Sequence, residues 1–322
     1  MKVLFAAPEN AWGGILAKLR RAHPNIEFTA SGSYQIDSLN GFDVLIPTMS
    51  SVDKQILATA DSLRLIQQIG AGLEGVDIEA ATAMGIAVAN VPTGVSGNAD
   101  SVAELGVYLM LGLARKAWEI QAHLQNQRIG SPMGAALKGK TAGLIGLGGI
   151  GKALIQRLHA FEMRLIGIKS KPNLEFAKQY GLAWVGTLED LPRLLSESDF
   201  VVLSLPDNDS THGLFNHQAF HNMQSGTMVV NLGRGGVVDH QALLDALEDG
   251  TLGGAGLDVF WQEPPDPQDP VFSHNVIATP HIGGVTDISL DGIYRNVSEN
   301  LHRLESGKPL LYCHNGGFGE LN

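Results

Sequence analysis

The 322-residue chain has little that would take it outside an ordinary globular fold. It has one cysteine, Cys313, so no disulfide can close within the chain, as suits a reducing compartment. That thiol near the C-terminus reads as incidental rather than catalytic. No apolar run is long enough to span a bilayer. The most apolar stretch, Val102 to Ala114, is broken by Glu104 and reads as a buried helix. Met1 to Glu9 carries one basic residue and an apolar run too short for a secretory signal, which predicts a cytoplasmic protein. Basic residues are also in deficit: Lys and Arg number 22 against 33 Asp and Glu, a net charge of −11. Such a surface repels nucleic acid phosphates and anionic membranes, which argues against either as a partner in bulk. There is no internal repeat and no low-complexity segment.

What is present is an alternation of short apolar runs and helical patterns over a length that suits two domains. Val3–Ala6, Ile26–Phe28, Val44–Ile46, Leu65–Ile69 and Ala87–Ala89 read as strands. Helical pieces lie between them, at Ile15–Leu19, near Ile56 and at Ala80–Met84. Short connections between alternating strands and helices predict a parallel, doubly wound α/β sheet. Val91 to Gly97 has the glycine and proline content of a hinge. Ser101-x-x-Glu104 reads as a capping box at the head of the long apolar helix. From Asp287 onward, Leu290, Ile293, Val297, Leu301 and Leu304 form one helical face, which could return the chain to the first domain.

The centre of the chain holds the clearest motif. Leu144-Ile145 leads into Gly146-x-Gly148-x-x-Gly151, and Ala153, Leu154, Ile155 and Leu158 then share a helical face. Strand, glycine turn and helix in that order form a dinucleotide-binding fingerprint. The glycines permit the tight turn, the approach of a pyrophosphate and close helix packing, and the helix N-terminus offers N–H groups to the phosphates. Further strands are expected at Arg164–Ile168, Phe200–Leu203, Met228–Asn231, Gly254–Asp258 and Val276–Ala278. Ligands of open α/β sheets sit at the carboxyl ends of strands. Asn231 to Gly236, Asp258 to Glu263 and Thr279 to Gly284 should therefore gather near the nucleotide.

Those segments carry Arg234, Glu263 and His281, which form a working set. A hydride added to a 2-keto acid creates an alkoxide that needs a proton, and histidine can donate one near neutrality. A carboxylate beside the imidazole stabilises the charged ring. A guanidinium can bind a carboxylate or carbonyl through two N–H groups.

The glycine turn, Asn231-x-x-Arg234-Gly235, Asp258-Val259-Phe260-x-x-Glu263-Pro264 and Thr279-Pro280-His281-x-Gly283-Gly284 occur in the order seen in the D-isomer-specific 2-hydroxyacid dehydrogenase family. The chain resembles that family over essentially its whole length, including Gly70-Ala71-Gly72-Leu73-Glu74-Gly75-Val76-Asp77. The resemblance implies a central Rossmann domain, residues 98–282, and a discontinuous flavodoxin-like substrate domain, residues 1–97 and 283–322. It implies that His281 is the acid in reduction and the base in oxidation, that Glu263 pairs with it, and that Arg234 holds the substrate. Backbone N–H groups around Ala71, Gly72 and Leu73 would receive the substrate carboxylate. Gly146, Gly148, Gly149, Ile150, Gly151, Pro206, Leu232, Asp258 and Gly283 would line the cofactor, with Asp258 at the nicotinamide carboxamide. Formate dehydrogenases similar to this family carry Gln where Glu263 stands, which disfavours that activity. The resemblance also implies a homodimer.

The cofactor is NAD or NADP. An NAD user is expected to end its second Rossmann strand in an acidic residue that binds the adenosine ribose. Here the strand runs into Lys169-Ser170-Lys171, which suits a 2′-phosphate and favours NADP. His217 and His221 share a helix face, with His212 upstream. No carboxylate or cysteine at ligand spacing joins them, so no metal is expected. The Glu189-Asp190 and Glu197-to-Asp199 acids read as solvated helix ends. The expected activity is reduction of a small 2-keto acid of the glyoxylate, hydroxypyruvate or pyruvate type. Phosphite oxidation and a corepressor-like nucleotide sensor are the alternatives.

Overall fold

The computed structural model describes residues 1–316. It divides into two compact units, one of Met1–Asn98 with Val285 onward and one of Ala99–Gly284.

The first unit is built on a five-stranded parallel sheet. Its strands are β1 (Lys2–Phe5), β2 (Glu27–Ala30), β3 (Val44–Ile46), β4 (Leu65–Gln67) and β5 (Ala87–Ala89), in the order β2-β1-β3-β4-β5. That is the doubly wound order of flavodoxin-like sheets. Successive side chains point to opposite faces, so β1 sends Val3 and Phe5 into one core and Leu4 into the other. The helix Asp287–Glu305 packs Ile293, Val297, Leu301 and Leu304 into the Phe5 core. β4 stops at Gln67, short of the Ile69 expected from the apolar run, because the Ile69 N–H turns to the Gln68 side chain (2.9 Å).

The second unit holds a seven-stranded parallel sheet. Its strands are β6 (Thr141–Ile145), β7 (Arg164–Ile168), β8 (Trp184–Gly186), β9 (Phe200–Leu203), β10 (Thr227–Asn231), β11 (Leu252–Leu257) and β12 (Val276–Ala278). The order β12-β11-β10-β9-β6-β7-β8 reverses direction between β6 and β9, which makes the end of β6 the switch point where such sheets bind ligands. Ile145, Ile166, Val201 and Leu203 face one core, and Leu144, Leu165, Phe200 and Val202 the other. Burial of each such side chain contributes about 1.5–3 kcal/mol.

Two local expectations are corrected. The long apolar helix runs from Asn98 to Ala114, so Ser101 is a buried residue of its interior and not an N-cap. Gly97 ends the preceding turn in the left-handed region (φ 77°), which lets the helix begin four residues early. Its Glu104 pairs with Arg157 (2.9 Å) instead of closing a capping box. The acids at 197–199 are also more than solvated helix ends. Glu197 accepts from Arg164, Arg193 and Trp184, and Asp199 accepts from Lys140 and the Thr141 N–H. Among the described residues no helix is long and apolar enough to cross a membrane.

Candidate active and nucleotide-binding site

β6 ends at Ile145, and the chain reverses at once into the helix Gly149–His159. Gly146 takes φ 96°, and a Cβ there would press on the Ser204 carbonyl oxygen at 2.6 Å. At Gly151 a Cβ would run into the Gly146 carbonyl oxygen. Both positions therefore need glycine, one for its backbone conformation and one for the close approach. The helix opens on Gly148 with no side-chain cap; Gly148 is exposed, and Gly149 and Ile150 are half-buried. Uncapped N–H groups at the positive end of a helix dipole, with no Cβ at Gly148 or Gly149, form a cradle that fits a pyrophosphate.

The carboxyl ends of β10, β11 and β12 carry the titratable groups. Asn231 closes β10 and organises the turn after it: its Nδ2 donates to the Arg234 carbonyl (2.9 Å) and its Oδ1 accepts from the Gly233 N–H (3.0 Å). Arg234 is half-buried and also donates from Nη1 to the Gly233 carbonyl (2.8 Å). Leu232 packs its side chain toward Gly106 in the core, so only its backbone lies at the sheet end. Pro206, after β9, is exposed, and its carbonyl accepts from Thr211 (2.7 Å).

Asp258 follows β11 and is 3 % exposed. Its Oδ1 accepts from the Thr279 hydroxyl (2.6 Å) and the Ile282 N–H (2.9 Å), and its Oδ2 accepts from the Gly283 N–H (2.8 Å). Burial pushes this carboxyl above its ordinary value, against those bonds and the nearby His281. Asp258 thus ties down the loop that presents His281. Oδ2, which accepts from the Gly283 N–H, has room to accept from a carboxamide as well.

His281 sits in that loop with φ 53°, left-handed backbone that costs a non-glycine residue roughly 1 kcal/mol or more. The Asp258 bonds on either side of it hold the conformation. Its Nδ1 meets Glu263 Oε2 at 2.6 Å, and Glu263 Oε1 accepts from the Phe260 N–H (3.0 Å). Burial by itself would raise the Glu263 carboxyl. The bond and charge of His281, the Phe260 N–H and the charge of Arg234 outweigh it and hold the carboxyl below its ordinary value. The pair is a carboxylate that orients an imidazole, and with Nδ1 engaged any proton exchanged with a substrate moves through Nε2. The structure therefore brings Arg234, Glu263, His281, Asp258 and Gly283 to one end of one sheet.

Ala71, Gly72 and Leu73 lie in the first unit, in the turn after β4. Asn90 Nδ2 donates to the Ala71 carbonyl (2.7 Å), and the Val91 N–H donates to the Gly70 carbonyl (3.1 Å). Asn90 has no motif signature and was not legible as a holder of this turn.

β7 ends at Ile168, followed by half-buried Lys169 and exposed Ser170 and Lys171. Lys169 Nζ lies 4.9 Å from the centre of the Phe176 ring. Lys152, one residue past the glycine turn, reaches the same ring at 5.9 Å and Tyr180 at 5.7 Å. Two ammonium groups thus share one aromatic pair (Phe176–Tyr180, 4.5 Å) with no carboxylate partner among the described residues. Lys152 is a functional candidate that spacing could not reveal, because only packing brings it to the end of β7. His212 pairs with Asp207 (3.0 Å) and His217 with Asp245 (2.8 Å). Among the described residues no cluster of three His, Cys, Asp or Glu is placed to hold a metal ion.

Residues 107–283 match the family described as D-isomer specific 2-hydroxyacid dehydrogenase, NAD binding domain. The chain is 34 % identical over 270 residues to D-3-phosphoglycerate dehydrogenase of Archaeoglobus fulgidus, covering 83 % of this chain and 50 % of that protein. It therefore spans about half the length of that relative. It is 34 % identical over 283 residues to glyoxylate reductase of Thermococcus litoralis, covering 85 % of this chain and 83 % of the other. The NADPH-dependent glyoxylate/hydroxypyruvate reductase of Sinorhizobium meliloti, solved with NADP and malonate, has a similar structure: TM-score 0.83, 26 % identity and 98 % of each chain covered. With this similarity extending over both sheets, the chain belongs to the D-isomer-specific 2-hydroxyacid dehydrogenase family.

Proposed function

We propose that this chain is an NAD(P)-dependent reductase of small 2-keto acids, interconverting them with D-2-hydroxy acids. The observation that carries the reading is the 2.6 Å contact between Glu263 and His281 at the carboxyl end of the sheet that also bears the glycine turn. When bound, the nicotinamide supplies the hydride for reduction or takes it up in oxidation. The chain's own residues handle the rest. His281 gives a proton from Nε2 to the developing alkoxide, and in the reverse direction accepts it. Glu263 keeps the ring oriented and stabilises the imidazolium. Arg234 receives the substrate's carboxylate or carbonyl oxygen.

The substrate favoured is an unphosphorylated acid of the glyoxylate, hydroxypyruvate or pyruvate type. The stretch Gly70 to Asp77 carries Glu74 and Asp77 and no lysine or arginine, a poor setting for the second anionic group of a phosphorylated acid. NADP is favoured over NAD, supported by the ammonium groups of Lys152 and Lys169, which lie by the Phe176 ring without a carboxylate partner among the described residues, beside Ser170 and Lys171. The protein acts in the cytoplasm as a homodimer in this reading. The pairing is supported by apolar side chains left in solvent between residues 108 and 133: Tyr108, Ile120, Leu124, Ile129 and Met133. A panel of 2-keto acids assayed with NADPH and NADH tests the proposal. Turnover of at least one acid is expected, and none with any acid and either cofactor would reject it.

A further inference from the structure

We propose that Trp261, braced by His240 and Asp269, is a positioning residue that sets the Glu263 carboxylate against His281. The inference rests on the role given to Glu263 above. Arg234 and Glu263 arrive on separate loops, after β10 and β11, and the geometry between them is only as firm as the bonds joining those loops. Trp261 supplies one, donating from Nε1 to the Val238 carbonyl at 2.6 Å. Its ring system stands nearly perpendicular to the His240 ring, 88° with the centroids 4.4 Å apart. His240 Nε2 lies 3.0 and 2.9 Å from the two oxygens of Asp269. Asp269 Oδ1 also accepts from the Val271 N–H (3.0 Å), which fixes the turn Pro270–Ser273.

The two loops also touch backbone to backbone. A Cβ at Gly235 would overlap the Phe260 carbonyl, so the residue after Arg234 lies directly on the residue before Trp261. Phe260 in turn donates its N–H to Glu263 Oε1 (3.0 Å) and sets its ring against Phe272 (5.8 Å). Trp261 is therefore two residues from the carboxylate, on the same short loop, and anchored to the loop that bears Arg234. An indole is suited to this: it fills the gap with one rigid body and brings a single N–H that must find an acceptor when half-buried. Neither Trp261 nor His240 nor Asp269 touches the reacting groups, so any effect on the reaction passes through Glu263.

A double-mutant cycle separates positioning from general stability. Trp261→Phe keeps a ring and removes the N–H. It is made alone and together with Glu263→Gln, and kcat, KM and nucleotide binding are measured for the four proteins. The expected result is that Trp261→Phe lowers kcat about ten- to hundredfold in the native background, with nucleotide binding unchanged, and has no further effect once Glu263 is Gln. An equal loss in both backgrounds, or no loss in the native one, overturns the inference while leaving Glu263 its role. A Glu263→Gln enzyme running at the native rate overturns the role of Glu263 and the inference with it. If Trp261→Phe fails to bind nucleotide or melts early, His240→Phe takes its place. That change keeps an aromatic ring against Trp261 and removes only the bond to Asp269, and the same non-additivity is expected.

Discussion

Glu263 Oε2 lies 2.6 Å from His281 Nδ1, although the two residues come from different strand ends, eighteen positions apart. Each is set by other groups: Glu263 by the Phe260 N–H, and His281 by a loop whose flanking residues bond to Asp258. Removing the carboxylate should leave the ring in place less often and its cation less stable. Glu263→Gln is expected to lower the reductive kcat about tenfold or more, with nucleotide affinity unchanged. Steady-state kinetics with a fluorescence titration of the reduced nucleotide checks both halves.

Reduction needs the protonated imidazole, so the reductive rate should decline as pH rises and the oxidative rate should climb. The carboxyl of Glu263 is held below its ordinary value when folded, so it stays ionised to a lower pH than an ordinary glutamate. Loss of reductive rate from protonation of Glu263 is expected at a correspondingly lower pH. Paired profiles in both directions test this, and identical slopes in the two directions would contradict it.

Arg234→Lys should be nearly as damaging as Arg234→Ala. A lysine keeps the charge but cannot offer two parallel N–H groups to a carboxylate. Both changes are expected to raise the keto-acid KM about tenfold or more and to leave nucleotide binding intact. A Lys variant with native KM would remove Arg234 from the role of substrate clamp.

Asp258→Asn separates stability from activity. Burial raises the Asp258 carboxyl, so its ionised form costs stability that grows as pH climbs through the folded value. Asn removes that buried charge, but where Oδ2 becomes an amide nitrogen it meets the Gly283 N–H donor to donor. The two effects oppose each other, so the melting temperature should move little while turnover falls about tenfold, ~1.4 kcal/mol in the barrier. Calorimetry beside kinetics distinguishes this from simple unfolding.

Acid stability has a separate anchor in Glu197, whose carboxyl drops from 4.5 to about 2 through hydrogen bonds from Arg164, Trp184 and Arg193, against the smaller opposing effect of burial. A depressed folded value gives stability that is complete above pH 4.5 and is lost as the pH falls toward about 2. Glu197→Gln should cost about 1 kcal/mol at neutral pH, the upper end for exposed pairs, and flatten the acid side of the melting curve.

Both parallel sheets were legible because their strands are short apolar runs between polar turns. The missed strand, β8 (Trp184–Gly186), is a half-buried edge strand of only three residues, and its apolar stretch follows directly on the helix Leu174–Tyr180. Arg234, Glu263 and His281 were legible because their motifs follow predicted strands. How they are held was not. Asn231 and Asp258 stand in the motifs and Trp261 inside one of them, but the bonds through which they act were not readable there, and the Lys152–Phe176 approach depends on how one helix packs beside another. Local pattern shows which side chains could do chemistry, whereas the bonds that aim them come from tertiary packing.

The most direct test follows oxidation of NADPH and NADH by glyoxylate, hydroxypyruvate and pyruvate with the native protein and His281→Ala side by side. The account predicts turnover of at least one acid by the native protein, greater efficiency with NADPH, and loss of most of that turnover in the variant with nucleotide binding retained. A variant as fast as the native protein, or a native protein that oxidises neither nucleotide with any of the acids, would contradict it.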